Sequence, residues 1–176
     1  MDKTEKLKLV KNTIKSYDNF PTYGVNFRDI FPVFQNTLAL KALRDLLVEH
    51  VLFLEIDLIA GLDSRGFLLG PMVCIEIDKP FIPIRKKGKL PGKVLSQDYS
   101  LEYGESTLEL QMSSVKEGTR VLIIDDLLAT GGSIGAAINL LTAANVKVVE
   151  CLVVIELLEL KAREKFDVPI YSIVQF

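Results

Sequence analysis

Two adjacent aspartates end an apolar run in "VLIIDDLLATGGSIG", residues 121–135. A turn of small and hydroxyl residues, Ala129 to Ser133, follows closely. Glycines let backbone N–H groups approach a ligand, and a helix starting there adds positive potential, so this turn predicts a phosphate-monoester site. Asp125 and Asp126 accept hydrogen bonds and repel phosphate, so they need hydroxyl groups or a cation such as Mg²⁺. A ribose 5-phosphate would supply hydroxyl groups to the two aspartates and a phosphate to the turn.

Other interpretations explain this stretch less well. A Walker B strand also ends in aspartate, but its partner motif needs Lys and Ser or Thr where "GLDSRGFL" from Gly61 has Phe and Leu. A G-x-G-x-x-G dinucleotide turn is missing from the sequence. An ordinary connection with a solvated aspartate pair would explain a lone Gly-Gly. It does not explain two carboxylates, four small or hydroxyl residues and a helix start in one short window.

The composition indicates one globular domain without a nucleic-acid partner. The chain has 176 residues, 49% hydrophobic and 25% charged, which suits one domain with a sizeable core. A formal net charge of -2 provides no basic field for a nucleic-acid backbone. Cys74 and Cys151 lie in apolar runs, which indicates buried thiols in a reducing compartment. Metal-ligand spacing, a signal peptide and a membrane-spanning run are absent from the sequence, so we expect a cytoplasmic protein with no membrane partner.

The periodicity of apolar residues predicts the elements that position this site. Helical spacing predicts two amphipathic helices, one carrying Leu7, Val10, Ile14 and Tyr17 and the other starting at Leu38. Short apolar runs predict strands at 57–61, 79–85, 120–126, 146–156 and 168–175. Helix-like segments lie between them at 66–77, 133–144 and 157–166. Nearly continuous apolar strands separated by helices indicate a parallel sheet covered on both faces.

One stretch breaks this alternation. Residues 86–111 contain glycines, a proline and four lysines, followed by alternating polar and apolar residues. We expect a mobile loop followed by an antiparallel hairpin inserted into the α/β order. Taken alone, such a lysine run is more commonly a solvated loop.

These segments together resemble the type I phosphoribosyltransferases, which use 5-phosphoribosyl pyrophosphate (PRPP). "VLIIDDLLATGGS" is similar to the family's PRPP motif and is closest to its adenine-specific members. Three more segments resemble those members in the same order: "FPTYGVNFRDI" at 20–30, "IAGLDSRGF" at 59–67, and 84–105, from "IRKKGKLPGKV" to "YSLEYGE". The resemblance covers nearly the whole chain. It implies transfer of the 5-phosphoribosyl group of PRPP to adenine in purine salvage, giving AMP and pyrophosphate.

The resemblance also implies an architecture. We expect the type I phosphoribosyltransferase fold, an α/β fold with a mainly parallel central sheet flanked by helices, a small N-terminal hood and a flexible hairpin lid. A single domain would span residues 1–176, with the hood at about 1–35, the catalytic core at about 36–176 and the lid at about 86–106.

The resemblance assigns roles residue by residue. Ribose 5-phosphate would be bound by Asp125, Asp126 and the phosphate turn, which is Ala129, Thr130, Gly131, Gly132 and Ser133. Pyrophosphate would be bound by Asp63, Ser64, Arg65, Lys86, Lys89 and Tyr103. Arg65 and Glu102 would be catalytic, with Glu102 managing the N9 proton of adenine or hydrogen-bonding its N7. Adenine would be bound by main-chain groups of Asn26 and Arg28 and by the side chains of Phe27 and Leu128.

Residue chemistry alone leaves several of these roles open. Arg65 can bind phosphate through two N–H groups, but it can equally form a surface ion pair. "GVNFRD" at 24–29 would by itself be a simple connector between helices. His50 ends an amphipathic helix and is given no catalytic role.

Mg²⁺ is the expected cofactor, carried by PRPP with no dedicated protein metal site. The family implies a homodimer. One alternative is transfer to another purine base, hypoxanthine or guanine. A second alternative is a non-catalytic PRPP-sensing regulator. Such a regulator would lack the lid and carry a DNA-binding extension, whereas this chain has the basic lid residues and Glu102.

Overall fold

Helices and a small antiparallel sheet make up the first of two units in the chain. A computed structural model of the protein describes residues 1–101 and 104–176, and the chain divides into Met1–Phe53 and Leu54–Phe176. The elements of the first unit are α1 (Lys3–Thr13), β1 (Lys15–Asp18), β2 (Asn26–Asp29), α2 (Phe31–Gln35) and α3 (Thr37–Val51). The predicted single domain with a hood ending near residue 35 stays a prediction.

Side-chain caps fix the starts of the two longer helices. The Asp2 carboxylate accepts from the Glu5 N–H, and the Glu5 carboxylate accepts from the Asp2 N–H, which is a capping box. The Asn36 side chain accepts from the N–H groups of Leu38 and Ala39 at the start of α3. The two predicted amphipathic helices are confirmed.

The sequence interpretation misses the small sheet of the first unit. The periodicity places Ile14 and Tyr17 on the first helix, but this part of the prediction is wrong because α1 ends at Thr13, Ile14 is extended and Tyr17 lies in β1. Lys15–Asp18 instead pairs antiparallel with Asn26–Asp29, so "GVNFRD" contains a strand and is more than a connector. Four-residue strands with little apolar alternation give a weak periodic signal.

A large mixed sheet forms the second unit. Its elements are β3 (Leu58–Leu62), α4 (Gly66–Ile77), β4 (Phe81–Lys86), β5 (Val94–Leu101), β6 (Gly104–Gln111), β7 (Arg120–Leu128), α5 (Gly132–Ala143), β8 (Lys147–Glu156) and β9 (Ile170–Gln175). Among the described residues, the strand order is β5-β6-β4-β3-β7-β8-β9. Five neighbouring strands are parallel to one another, namely β4, β3, β7, β8 and β9. The predicted parallel sheet and the antiparallel hairpin are confirmed.

The core of the second unit places β3 and β7 side by side. All five residues of β3 are buried, as are Val121 to Ile124 of β7. Gly66, the first residue of α4, lies against this pair, and a Cβ there would be 2.6 Å from the Ile124 carbonyl oxygen. Only glycine lets the helix start this close to β7, so this packing brings the carboxyl ends of both strands to one place.

The third predicted helix of the second unit, at 157–166, is wrong. Two short 3₁₀ helices occupy this region, Leu158–Leu160 and Ala162–Lys165. Lys161 between them has a φ of 48°, in the left-handed region, so an α-helix cannot run through it. Arg163 forms an ion pair with Glu156, which is 2% exposed, and this contact fixes the segment against the end of β8.

The two cysteines are buried, as their positions in apolar runs predict. Cys74 and Cys151 are buried free thiols, and burial raises the pKa of Cys74 to about 11 and of Cys151 to about 12. Within 1–101 and 104–176, no helix combines the length and the apolar character needed to cross a membrane.

Candidate active site

A cavity of about 290 Å³ lies at the carboxyl ends of β3 and β7. Open α/β sheets bind ligands at this edge. Its walls are formed by residues 62–65, 125–127 and 129–134, together with Lys86, Tyr99 and Leu108. Predicted ribose-phosphate and pyrophosphate residues that are far apart in sequence therefore line one cavity.

The phosphate turn lies between β7 and α5. Gly131 has a φ of 87° and is the residue before α5, which begins at Gly132. A left-handed backbone conformation is easily adopted only by glycine, so Gly131 lets the chain turn sharply from the strand into the helix. All five residues of the turn line the cavity. Backbone N–H groups and a helix start are available there for an anion.

Arg65 and Asp126 form an ion pair in the wall of the cavity. Arg65 Nε donates to Asp126 Oδ2 although the residues are 61 apart in sequence. The side chain of Asp126 is 7% exposed and that of Arg65 is 35% exposed. The pair therefore joins the loop after β3 to the end of β7. A buried carboxylate here holds a guanidinium that still reaches the cavity.

Asp125 has a different environment. Its Oδ1 accepts from the Asp126 N–H at 2.9 Å. Burial, and next the negative charge of Asp126, raise the pKa of Asp125 well above its ordinary value. The two neighbouring carboxylates therefore differ: Asp126 is neutralised by an arginine, and the half-buried Asp125 carries an electrostatic cost when it is ionised.

A second ion pair supports the loop after β3. Arg85, near the end of β4, donates from Nε to Asp63 Oδ2 at 3.0 Å. The Arg85 guanidinium also lies over the Phe67 ring, 5.4 Å from its centre. Sequence reasoning gave Arg85 no role. Its place at the end of a predicted strand was the available signal, because neighbouring parallel strands end at the same edge of the sheet.

The structure brings together most of the residues predicted for pyrophosphate. Asp63, Ser64, Arg65 and Lys86 line the cavity. Lys89 is exposed, three residues beyond Lys86. Glu102 and Tyr103 lie outside the described residues, and their predicted roles stay predictions.

The residues predicted to bind adenine fall in both units of the chain. In the first unit, Asn26, Phe27 and Arg28 belong to β2, and the Phe27 ring packs edge-on against Phe20 with 5.1 Å between ring centres. An apolar pocket of about 560 Å³ in this unit is lined by Phe20, Phe27 and their neighbours.

The second unit changes one expectation. Leu128 is completely buried in the hydrophobic core, whereas Leu127 lines the cavity. The Leu128 side chain is 0% exposed, so it is not accessible from the cavity. Leu127 therefore faces the cavity, whereas Leu128 does not.

This combination of fold and cavity defines the class of protein. The family described as "Phosphoribosyl transferase domain" matches residues 33–174. The chain belongs to the phosphoribosyl transferase family.

Individual relatives are similar over nearly the full length. The chain is 47% identical over 174 residues to the adenine phosphoribosyltransferase of Homo sapiens, covering 97% of each. The adenine phosphoribosyltransferase of Saccharomyces cerevisiae, complexed with D-2,5-dideoxy-2,5-imino-altritol 1,6-bisphosphate and adenine, aligns with a TM-score of 0.93 at 36% identity, covering 97% of this chain and 99% of that one. The Trypanosoma brucei enzyme, in complex with AMP, pyrophosphate and ribose 5-phosphate, aligns with a TM-score of 0.87 at 30% identity, covering 97% and 79%.

Proposed function

We propose that this protein is an adenine phosphoribosyltransferase, which transfers the 5-phosphoribosyl group of PRPP to adenine and releases pyrophosphate. The observation that carries this proposal is a single cavity at the ends of β3 and β7 that contains the phosphate turn, the aspartate pair and Arg65. Full-length similarity to adenine phosphoribosyltransferases supports adenine as the acceptor base.

The phosphate turn and the aspartates hold the ribose 5-phosphate. Backbone N–H groups and the hydroxyls of Thr130 and Ser133 donate to the 5-phosphate. Asp125 and Asp126 accept from the ribose hydroxyls. The pKa of Asp125 is raised, so its charged form is disfavoured in the free protein. A hydrogen bond from a ribose hydroxyl would stabilise that charged form when the sugar binds.

The chemical step exchanges one bond at C1 of the ribose for another. The bond from C1 to the pyrophosphate oxygen breaks with its electron pair, and a bond from C1 to N9 of adenine forms while N9 loses its proton. Arg65, held through Nε by Asp126, would donate from its terminal nitrogens to the leaving pyrophosphate. Asp63, Ser64, Lys86 and Lys89 are further predicted pyrophosphate contacts, and the first three of them line the cavity.

The hairpin lid supplies the remaining groups in this proposal. Glu102 would handle the N9 proton or hydrogen-bond N7, and Tyr103 would cover the reaction centre when the lid closes. Glu102→Gln should lower kcat far more than it changes PRPP affinity. Equal turnover in the variant would remove Glu102 from the mechanism.

Base recognition is proposed on the family resemblance. Main-chain groups of Asn26 and Arg28 would read the edge of adenine, and Phe27 would pack on its ring. Leu127 replaces Leu128 as the leucine proposed to contact the base, because Leu127 lines the cavity.

We propose that Mg²⁺ enters this site as part of the substrate. The cavity offers two neighbouring carboxylates, but one of them is engaged by Arg65. Among residues 1–101 and 104–176, no group of three His, Cys, Asp or Glu side chains is arranged to hold a metal ion. Mg²⁺ carried by PRPP would neutralise part of the pyrophosphate charge, and Asp125 is the carboxylate available to its water shell. A homodimer and a cytoplasmic location stay predictions from the family and the sequence.

One assay tests this function. The protein is incubated with PRPP, Mg²⁺ and adenine, hypoxanthine or guanine, and AMP, IMP and GMP are measured separately. We expect AMP only. Product from hypoxanthine or guanine alone would contradict adenine as the acceptor. Binding of PRPP without any product would instead support a sensor.

A further inference from the structure

The back of the phosphate turn packs against a segment that the proposed chemistry does not use. This segment, Ala162 to Phe166, is called the brace here, and it includes the second 3₁₀ helix after β8. Sequence reasoning placed it in a helix and gave it no functional role.

Lys165 makes a polar contact between the brace and the turn. Its Nζ donates to the Thr130 carbonyl oxygen at 2.8 Å. That carbonyl and the N–H of Gly131 belong to the same peptide group. An ammonium at the oxygen polarises the peptide and strengthens its N–H as a donor. The contact also fixes the direction in which this N–H points.

Phe166 makes the apolar contact. A Cβ at Gly131 would be 2.9 Å from Phe166 Cζ, and one at Gly135 would be 3.1 Å from Phe166 Cε1. The ring therefore lies directly against the turn and against the first turn of α5. The Gly135 N–H donates to the Gly131 carbonyl at 2.9 Å, so both contact points belong to one hydrogen-bonded turn.

The brace is anchored to the sheet by an ion pair between the exposed Arg163 side chain and the buried Glu156 carboxylate. Arg163 Nε donates to Glu156 Oε1 at 2.7 Å, and Glu156 ends β8. Glu156 also accepts from the Ser172 hydroxyl at 2.7 Å, on the neighbouring strand β9. Ala162 is buried in the core of the second unit. The brace thus has a fixed position from which it can hold the turn.

We propose that Lys165 and Phe166 are positioning residues that hold the phosphate turn in the geometry that binds the 5-phosphate of PRPP and AMP. The inference rests on the proposed function, because it takes the turn as the phosphate site. Neither side chain is required to touch the substrate. Lys165 acts through the Thr130–Gly131 peptide and Phe166 acts through the backbone at Gly131 and Gly135.

The first experiment replaces Lys165 by Met, which keeps the length of the side chain and removes its charge and donors. We expect the Kd of ribose 5-phosphate, measured by calorimetry, and the KM of PRPP to rise about tenfold, as for loss of a charge-assisted hydrogen bond. The Kd of pyrophosphate, the KM of adenine and kcat should stay close to wild type. Lys165→Arg should restore most of the affinity because it keeps a charged donor.

Lys147→Met is the matched control, because Lys147 is an exposed lysine at the start of β8, the opposite end of that strand. It should leave every constant unchanged. Unchanged ribose 5-phosphate binding in Lys165→Met would overturn the proposed positioning role of Lys165. An equal weakening of pyrophosphate binding would overturn it as well. Failure of the wild type to bind ribose 5-phosphate or to make AMP would instead overturn the proposed function.

A second experiment tests the Phe166 contact by a double-mutant cycle. Gly135→Ala places a methyl group against the ring and should raise the KM of PRPP. Phe166→Leu alone should also raise it, because the turn loses its support. In the double variant, the smaller side chain makes room for the methyl group, so the combined effect should be less than the sum. Additive effects would overturn a direct contact that sets the geometry of the turn.

Discussion

The strand pair β3 and β7 carries an arginine–aspartate pair at each end, and the two pairs differ in character. At the amino-terminal end, Asp57 accepts from the backbone N–H of Arg120 at 2.8 Å and from two of its guanidinium nitrogens. At the carboxyl end, Arg65 donates to Asp126 through Nε. The side chain of Asp57 is 43% exposed, whereas that of Asp126 is 7% exposed.

The pKa shifts separate the two ends further. Hydrogen bonds from the Arg120 side chain, and then from its backbone, lower the pKa of Asp57 to about 2. At the other end, burial raises the pKa of Asp125 beside the Arg65–Asp126 pair. Acidic groups at the amino-terminal end are therefore satisfied by the fold. At the carboxyl end, the fold places two carboxylates side by side. This arrangement lowers the stability of the folded state, and it leaves carboxylate oxygens that can accept hydrogen bonds from a bound sugar phosphate.

The largest difference should come from removing the arginine at each end. Arg65→Met should lower kcat/KM for PRPP by roughly 10²–10³-fold, the range seen when one preorganised donor to a developing charge is lost. Arg120→Met removes the same group at the far end and should leave kcat/KM near wild type. Steady-state kinetics on both variants provides the comparison. Equal losses in the two variants would show that Arg65 has only a structural role.

The next effect concerns Asp125. Asp125→Asn should weaken ribose 5-phosphate binding about tenfold, because a charged acceptor is replaced by a neutral one. It should also raise the melting temperature at pH 7. The folded-state pKa of Asp125 is raised, so ionising this carboxylate costs folding free energy above that pKa and nothing below its unfolded value.

The control for this prediction is the pH dependence. The gap in melting temperature between Asp125→Asn and wild type should be largest at neutral pH and should close as pH falls towards about 4, the ordinary pKa of aspartate. A gap that does not change with pH would contradict an electrostatic cause.

A smaller change in melting temperature, opposite in sign to that of Asp125→Asn, is expected when Asp57 is replaced. Its folded-state pKa, about 2, is below the unfolded value, so its contribution to stability is present above about pH 4 and is lost as pH falls towards 2. Asp57→Asn should lower the melting temperature slightly at pH 7 and leave kcat/KM unchanged. Thermal unfolding between pH 2 and pH 7 measures this. A variant as stable as wild type at neutral pH would contradict the assigned role of the pair.

The smallest effect is expected at Glu55, which also pairs with Arg120. Glu55 Oε2 lies 3.0 Å from Arg120 Nη1, but the Glu55 side chain is 90% exposed. Solvent screens such a pair, so Glu55→Gln should change neither the melting temperature nor the kinetics measurably. A fall as large as that of Asp57→Asn would show that the amino-terminal cluster acts as one network.

The local sequence pattern was enough to predict much of the fold and part of the candidate site. The apolar runs at β3, β4, β7, β8 and β9 are long enough to give a clear signal. The turn from Ala129 to Ser133 was also readable, because its glycines, its hydroxyls and the following helix are contiguous. Segment 157–166 shows the limit, since its helix-forming composition is overridden by the left-handed Lys161 and by the ion pair of Arg163 with Glu156.

The sequence by itself determined the five parallel strands, the helices α4 and α5, the phosphate turn and the adjacent aspartates, because each depends on residues that are neighbours along the chain. Only the tertiary structure decided which charges meet. Arg65 and Asp126 are 61 positions apart, and Asp57 and Arg120 are 63 apart. Strand pairing brings these groups within hydrogen-bond distance, and local pattern does not specify that register. The same holds for Leu127, whose exposure to the cavity depends on which face of β7 packs into the core.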